Sequence, residues 1–239
     1  MPSREESKEQ RRRDIVRAAR TLMQETGQAG FSMRGLADKA GVSIATPYNL
    51  FGSKQAVMFA VLDADLEQYQ EQLEKLKADE IDVFFKAVTL ATTLYSAEPG
   101  FYRAVLFAAY NDGGTGFRAM FGGPRHIMWR RLVNNAREAG FLADDVEPNS
   151  FAINLGHIFF SCIIEWVNGL LSLEELEARG HYGFAIALRG VATSASSERL
   201  WDKILATQKR LRSLHHKRRR AERQEDAAEP PARAANGAR

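Results

Sequence analysis

The chain has 239 residues, is 45% hydrophobic and carries a formal net charge of +3. That apolar content supports one or two packed domains and excludes a wholly disordered chain. The charge is segregated, with +4 over residues 1–56, −7 over 57–199 and +6 over 200–239, so basic ends suited to a polyanion flank an acidic middle.

No run of about 18 apolar residues reads as a membrane span, and residues 1–20 lack the apolar stretch of a secretory signal. The single cysteine, Cys162, has no partner for an internal disulfide or a multi-thiolate metal site. A cytoplasmic protein without a membrane partner is the expectation.

In chain order, Ile15, Ala18, Ala19, Leu22 and Met23 fall at the spacing of one buried helical face. Gly27 and Gly30 end that helix. Ser32 is placed to cap a second helix that buries Met33, Leu36, Ala37 and Ala40, and Gly41 stops it. Ser43 is placed to cap a short third helix, and Ser53 a fourth that runs to about Leu76. Further helices are expected over about 80–97, 99–111, 117–139, 148–171, 173–193 and 196–222, with Gly122-Gly123-Pro124 interrupting the third of these. From Gln224 the composition predicts disorder. No period-2 strand is convincing, so the fold class is all-α.

The second and third helices, joined by Gly41-Val42-Ser43, make a helix-turn-helix. At 100° per residue, Pro47, Leu50 and Phe51 share the core side of the third helix, and Ala45, Thr46, Tyr48 and Asn49 share the other. Small and hydrogen-bonding residues on one exposed face suit close approach to base edges in a major groove. Arg34, Thr46 and Asn49 are placed for bases. Ser32 at a helix N-terminus, Tyr48 and Lys54 are placed for phosphates. Residues Pro2 to Arg13 read as a mobile arm for the DNA backbone, and Lys209 to Arg223 as a basic tail whose simplest state is solvated.

The stretch Ser32-Met33-Arg34-Gly35-Leu36-Ala37-Asp38-Lys39-Ala40-Gly41-Val42-Ser43, continuing through Tyr48, Phe51 and Ser53-Lys54, resembles the DNA-binding domain of the tetracycline-repressor (TetR) family over about residues 12–60. The family's DNA contacts carry over to Ser32, Arg34, Ser43, Ala45, Thr46, Tyr48, Asn49 and Lys54. Gly35, Pro47 and Leu50 depart from its usual residues, and a mid-helix Gly costs about 1 kcal/mol against Ala. The resemblance implies an N-terminal three-helix domain (1–60), a helical ligand-sensing and dimerisation domain (61–208) and a basic tail (209–239). It also implies a homodimer through helices at about 149–191, and Glu165 to Leu176 is similar to the junction of the two helices that form the family's interface.

The middle of the chain is rich in aromatic residues, which serve as core or as pocket lining. Phe107, Tyr110, Met120, Phe121 and Trp129 flank the glycine-rich break at Asp112 to Gly116, a region that borders the pocket in the family. They are the candidate effector contacts, with His126 and His157 as hydrogen-bonding partners. A small apolar or aromatic effector is the expectation. His157 and Cys162, about 140° apart on a helix, do not converge on a metal with Glu165. No nucleophile-elbow, phosphate-loop or zinc-protease motif stands in the sequence. Neither enzyme activity, a metal nor a cofactor is expected. The function implied is a ligand-responsive regulator, most simply a repressor released from a palindromic double-stranded DNA operator. The alternative is a sequence-tolerant nucleoid or adaptor protein of the same fold without an effector.

Overall fold

The computed structural model describes residues 3–26, 31–110 and 123–228. Ten helices stand in this part of the chain: α1 (Arg4–Thr26), α2 (Met33–Ala40), α3 (Ala45–Phe51), α4 (Lys54–Lys75), α5 (Asp82–Ala97), α6 (Pro99–Tyr110), α7 (Gly123–Glu138), α8 (Pro148–Val167), α9 (Leu173–Gly190) and α10 (Ser194–Ala228). Among the described residues there is no strand, only an isolated bridge between Leu142 and Ala192. The all-α class is thus the observed one.

The N-terminal core forms where α1 crosses α2 and α4, burying Ile15, Ala19 and Met23 with Leu36, Val57 and Val61. Ser32 caps α2 as expected, its Oγ accepting from the Gly35 N–H at 3.0 Å. A Cβ on Gly35 would stand 3.3 Å from that oxygen, so any larger residue here would crowd the capping hydroxyl. Gly41 closes α2 at φ +66°, a left-handed conformation that favours glycine, and the Val42 N–H returns to the Ala37 carbonyl at 3.0 Å. The same α4 that completes this core also buries Leu66, Tyr69 and Leu73 in the larger domain. One continuous helix therefore spans the expected boundary at residue 60.

The larger domain wraps α5 to α10 around an aromatic centre in which Trp129 meets Phe84, Phe159 and Phe184 at ring distances of 5.2–6.4 Å. Helices α8 and α9 approach closely because α9 carries Gly183, where an added Cβ would lie 2.5 Å from Ile158. α8 reaches the length and apolarity of a membrane span, a property it shares with core helices of soluble proteins. Here it packs against α6, α7 and α9.

Three boundary expectations change. α1 begins at Arg4, so residues 4–13 are helix and not an arm; Ser3 and Glu6 form a reciprocal capping box, with Glu6 N–H to Ser3 Oγ at 3.1 Å and Ser3 N–H to Glu6 Oε2 at 2.6 Å. The helix expected over 117–139 stands in the described residues as α7 from Gly123, which is left-handed at φ +64°, with Pro124 in its first turn where a missing N–H costs nothing; residues 117–122 lie outside the described part. α8 stops at Val167, because the Asn168 side chain bonds the Ile164 carbonyl at 2.8 Å and Gly169 turns left-handed at φ +76°. α10 continues to Ala228, past the expected helix end at about 222 and into the stretch expected to be disordered from Gln224. Leu214 is buried and Arg218 donates to the Leu170 carbonyl at 2.9 Å, which ties the helix to the domain. Residues 229–239 lie outside the described part.

At the pole remote from α1, Asp79 accepts from the N–H groups of Ile81 and Asp82 and receives two guanidinium N–H groups of Arg199 at 2.8 and 2.7 Å. Partial burial pushes its pKa up, but Arg199 and the backbone donors outweigh this and bring it from 3.8 down to about 2. A depressed carboxylate stabilises the fold above its ordinary value and loses that contribution as pH falls through about 2. Arg199→Gln is expected to return the Asp79 carboxyl toward 3.8 in an NMR titration. An unmoved titration would show that the ion pair is not what holds it down.

Candidate functional site

α3 presents the surface that the sequence assigns to DNA. Pro47 is buried and Leu50 and Phe51 are half-buried, while Ala45, Tyr48 and Asn49 are exposed and Thr46 is half-exposed. Tyr48 shows 49% of its surface to solvent although it sits between core residues in sequence. Ser43 does not cap α3. Its Oγ pairs with Thr46 Oγ1 at 2.9 Å while its carbonyl accepts the Thr46 N–H, so the two hydroxyls act as one polar unit at the helix start. Ile44, one turn before Tyr48 and 47% exposed, was not among the residues expected at DNA. Its i, i+4 relation to Tyr48 was the available signal, and an exposed apolar side chain here suits a thymine methyl group.

The phosphate candidates flank this face. Ser32 and Arg34 are exposed at the start of α2. The Lys54 ammonium stands over the Phe31 ring at 5.0 Å, which fixes its long side chain at the start of α4. A further residue, Arg12, holds α3 in place: its guanidinium donates to the Leu50 carbonyl at 2.9 Å and lies 4.3 Å over the Phe51 ring. It satisfies a C-terminal carbonyl of α3 while packing that helix on α1. A sequence reading places Arg12 among many N-terminal cations and has no means of pairing it with residues 38 positions away.

Lys54→Ala is expected to weaken binding to all duplexes alike and to lower the slope of log affinity against log salt by about 0.9, the value of one neutralised phosphate. An unchanged slope would remove Lys54 from the phosphate-binding set.

A cavity of about 110 Å³ lies in the larger domain between α4, α5, α6, α7 and α8. Leu66, Tyr69, Leu106, Phe159 and Ile163 supply apolar walls, and Asp65, Tyr95, Tyr102 and Arg125 supply polar ends. A cleft of about 60 Å³ adjoins it and shares Arg125, Trp129, Phe159 and Ile163. Of the expected effector contacts, Trp129 lines both spaces and His126 lines the cleft, bonded to Asn149 Oδ1 at 2.7 Å.

Phe107 and Tyr110 do not line either space, because α6 turns Phe101, Tyr102, Val105 and Leu106 inward and leaves those two half-exposed. His157 is likewise on the exposed side of α8, off the face that buries Leu155, Phe159 and Cys162. Met120 and Phe121 lie outside the described residues. Asp65 was missed, although a carboxylate among Val61, Leu62, Leu66 and Tyr69 is a polar residue at a core position and needs a partner.

That partner is Arg20 of α1, which pairs with Asp65 and also with Glu98 at 3.0 Å. Tyr102 donates to Asp65 at 2.9 Å, and Gln24 donates to Glu98 at 2.8 Å. Burial pushes the Asp65 carboxyl above its ordinary value despite the pairing. Desolvation pulls the shallower Arg20 guanidinium down, and Asp65, Tyr102 and Glu98 together more than offset this, leaving it raised. The polar end of the cavity is thereby joined to α1, the first helix of the N-terminal core.

Elsewhere, burial raises the Cys162 thiol to about 11, so it keeps its proton at neutral pH. Glu165 pairs with Arg179 at 2.8 Å, which explains a carboxylate in an apolar helix. Among the described residues no group of three His, Cys, Asp or Glu converges as a metal site.

Residues 15–61 match the family model described as bacterial regulatory proteins, tetR family. No curated protein sequence matches the chain. Among solved structures, the lauroyl-CoA complex of Thermus thermophilus FadR, a TetR-family transcriptional repressor, is 19% identical and superposes with a TM-score of 0.66, covering 76% of this chain and 95% of that one. The resorcinol complex of RolR is 18% identical with a TM-score of 0.59, covering 82% and 95%. A TetR transcriptional regulator from Rhodococcus sp. RHA1 is 18% identical with a TM-score of 0.58, covering 78% and 99%. At these identities the structures establish a shared fold.

Proposed function

We propose, from the premise that this chain is a TetR-family transcriptional regulator, that it is a homodimeric, effector-released repressor acting on a palindromic operator in the cytoplasm. The observation that carries this reading is the outward face of α3. There Ala45, Thr46, Tyr48 and Asn49 stand clear of the core while Arg12, Pro47 and Phe51 anchor the helix behind them. Thr46 and Asn49, with Arg34, read bases. Ser32, Ser43, Tyr48 and Lys54 hold the backbone.

Dimerisation through α8 and α9 is favoured by unspent apolar surface. Only 39% of the most apolar stretch of α8 is buried within one chain, and Ile186 of α9 is 47% exposed. Two copies related by a two-fold axis would place the two α3 helices in successive major grooves about one helical turn apart.

The cavity is small and mainly apolar, which suits an acyl chain or a single ring entering toward Trp129 and His126. Lauroyl-CoA and resorcinol in structures of the same fold fit that class. Occupation would press on α4 at Asp65 and Leu66, and α4 together with Arg20 of α1 would carry the displacement to α3.

The test is the affinity ratio between a preferred duplex and an unrelated one at fixed salt. A ratio of roughly 10³ or more supports an operator reader. A ratio near one favours the sequence-tolerant alternative.

A further inference from the structure

Between Lys209 and Arg223 there are eight Lys or Arg and one acid, Glu222, and the path of α10 decides what they can meet. The helix starts at the pole remote from α1, where Arg199 pairs with Asp79 and Lys203 pairs with Asp82. It then runs antiparallel to α9, with Arg210 on Glu177 at 2.8 Å and Arg218 on the Leu170 carbonyl at 2.9 Å. Leu170 belongs to the turn that follows α8.

That turn lies on the side of the domain facing the DNA-binding helices. Just before it, Trp166 stacks on Tyr95 at 5.4 Å, Tyr95 packs on Tyr102 at 4.9 Å, and Tyr102 bonds Asp65, the partner of Arg20 in α1. The last turns of α10 therefore leave the domain toward the end at which α1 joins it. At about 1.5 Å per residue, Arg223 stands roughly 7 Å and Ala228 roughly 15 Å beyond Arg218.

The cations divide at this point. Arg199, Lys203, Arg210 and Arg218 are all engaged with the domain. Lys217, Arg219, Arg220 and Arg223 are exposed and have no acidic partner among the described residues. Like charges three and four residues apart repel along a helix. A polyanion would relieve that repulsion, and the acidic sensor domain is already behind these residues.

We propose that the turns from Lys217 to Arg223 form a second DNA-binding element, a helical cationic arm laid on the phosphate backbone of the duplex that α3 reads. It rests on the reading of the chain as a DNA-binding regulator. The arm adds affinity without sequence preference.

The test uses the full chain carrying Lys217→Gln, Arg219→Gln, Arg220→Gln and Arg223→Gln together, with circular dichroism to confirm retained helix. Binding is measured across a salt series on a preferred duplex and on an unrelated one, both extending well past the half-sites. The expected result is a salt slope lower by about 0.9 for each phosphate no longer neutralised, up to about 3.6 per protomer, with both affinities falling by the same factor. An unchanged slope overturns the proposal. So does a variant that keeps DNA binding but no longer binds single-stranded RNA or vesicles of anionic lipid. If the unaltered chain prefers no duplex yet the variant still lowers the slope, the operator reading fails and the arm stands.

Discussion

Trp166→Ala is expected to destabilise the larger domain by about 3–5 kcal/mol, which is the usual cost of emptying a buried Trp site. Trp166 is 1% exposed, its ring stacked on Tyr95 at 5.4 Å and the Arg103 guanidinium over it at 5.1 Å. Its removal opens a void beside Tyr95 that the surrounding helices can fill only in part. For a chain of this size each kcal/mol moves the midpoint by about 2–4 °C, so thermal unfolding should fall by roughly 6–20 °C. Trp166→Phe retains a ring against Tyr95 and should lose less. A midpoint lowered by under about 2 °C would mean that the Trp site collapses without cost, contrary to the packing described.

The second large effect is expected at Arg20. Arg20→Ala leaves Asp65, 14% exposed, with the Tyr102 hydroxyl as its remaining partner, and leaves Glu98 with the Gln24 amide alone. Breaking a fully buried pair costs about 3–5 kcal/mol. Arg20 is 27% exposed, so solvent screening reduces this to about 1–3 kcal/mol.

The loss should depend on pH. Burial already raises the Asp65 carboxyl above 3.8, and without Arg20 it should rise further. An acid with a raised folded-state pKa destabilises when ionised, so the penalty grows as pH rises through that pKa and is relieved below it. Denaturant unfolding should therefore separate variant from parent more at pH 7.5 than at pH 4.5. A difference that widens toward acid would contradict this assignment. Arg20→Ala should also blunt effector-triggered release, because the tie between the cavity and α1 is gone, while the α3 face stays intact.

The candidate DNA face was legible because its determinants are local. Ser32 caps three residues ahead, Gly41 supplies the left-handed turn, and the two faces of α3 follow from 100° per residue. The Ser43 cap did not form because a hydroxyl beside Thr46 has two competing partners, and sequence does not rank them. The cavity of the larger domain was only partly legible. Trp129 and His126, named from sequence, line it or its adjoining cleft, but the bonds that define its polar end join residues 37 and 45 positions apart, Tyr102 and Arg20 to Asp65.

Phe107 and Tyr110 show the same limit. Composition marks α6 as aromatic, yet only the packing of α6 on α8 and α4 decides which face turns inward. The basic stretch of α10 was read as a solvated tail because its direction depends on two anchors, Leu170 and Glu177, contributed by other parts of the fold.

The most direct measurement is selection of bound sequences by the full chain from a random duplex library at near-physiological salt. A palindromic consensus is expected, its half-sites centred about one helical turn apart or slightly more. Recovery of unenriched DNA would contradict the operator reading, and the chain would then be a sequence-tolerant binder that uses the same fold without an operator.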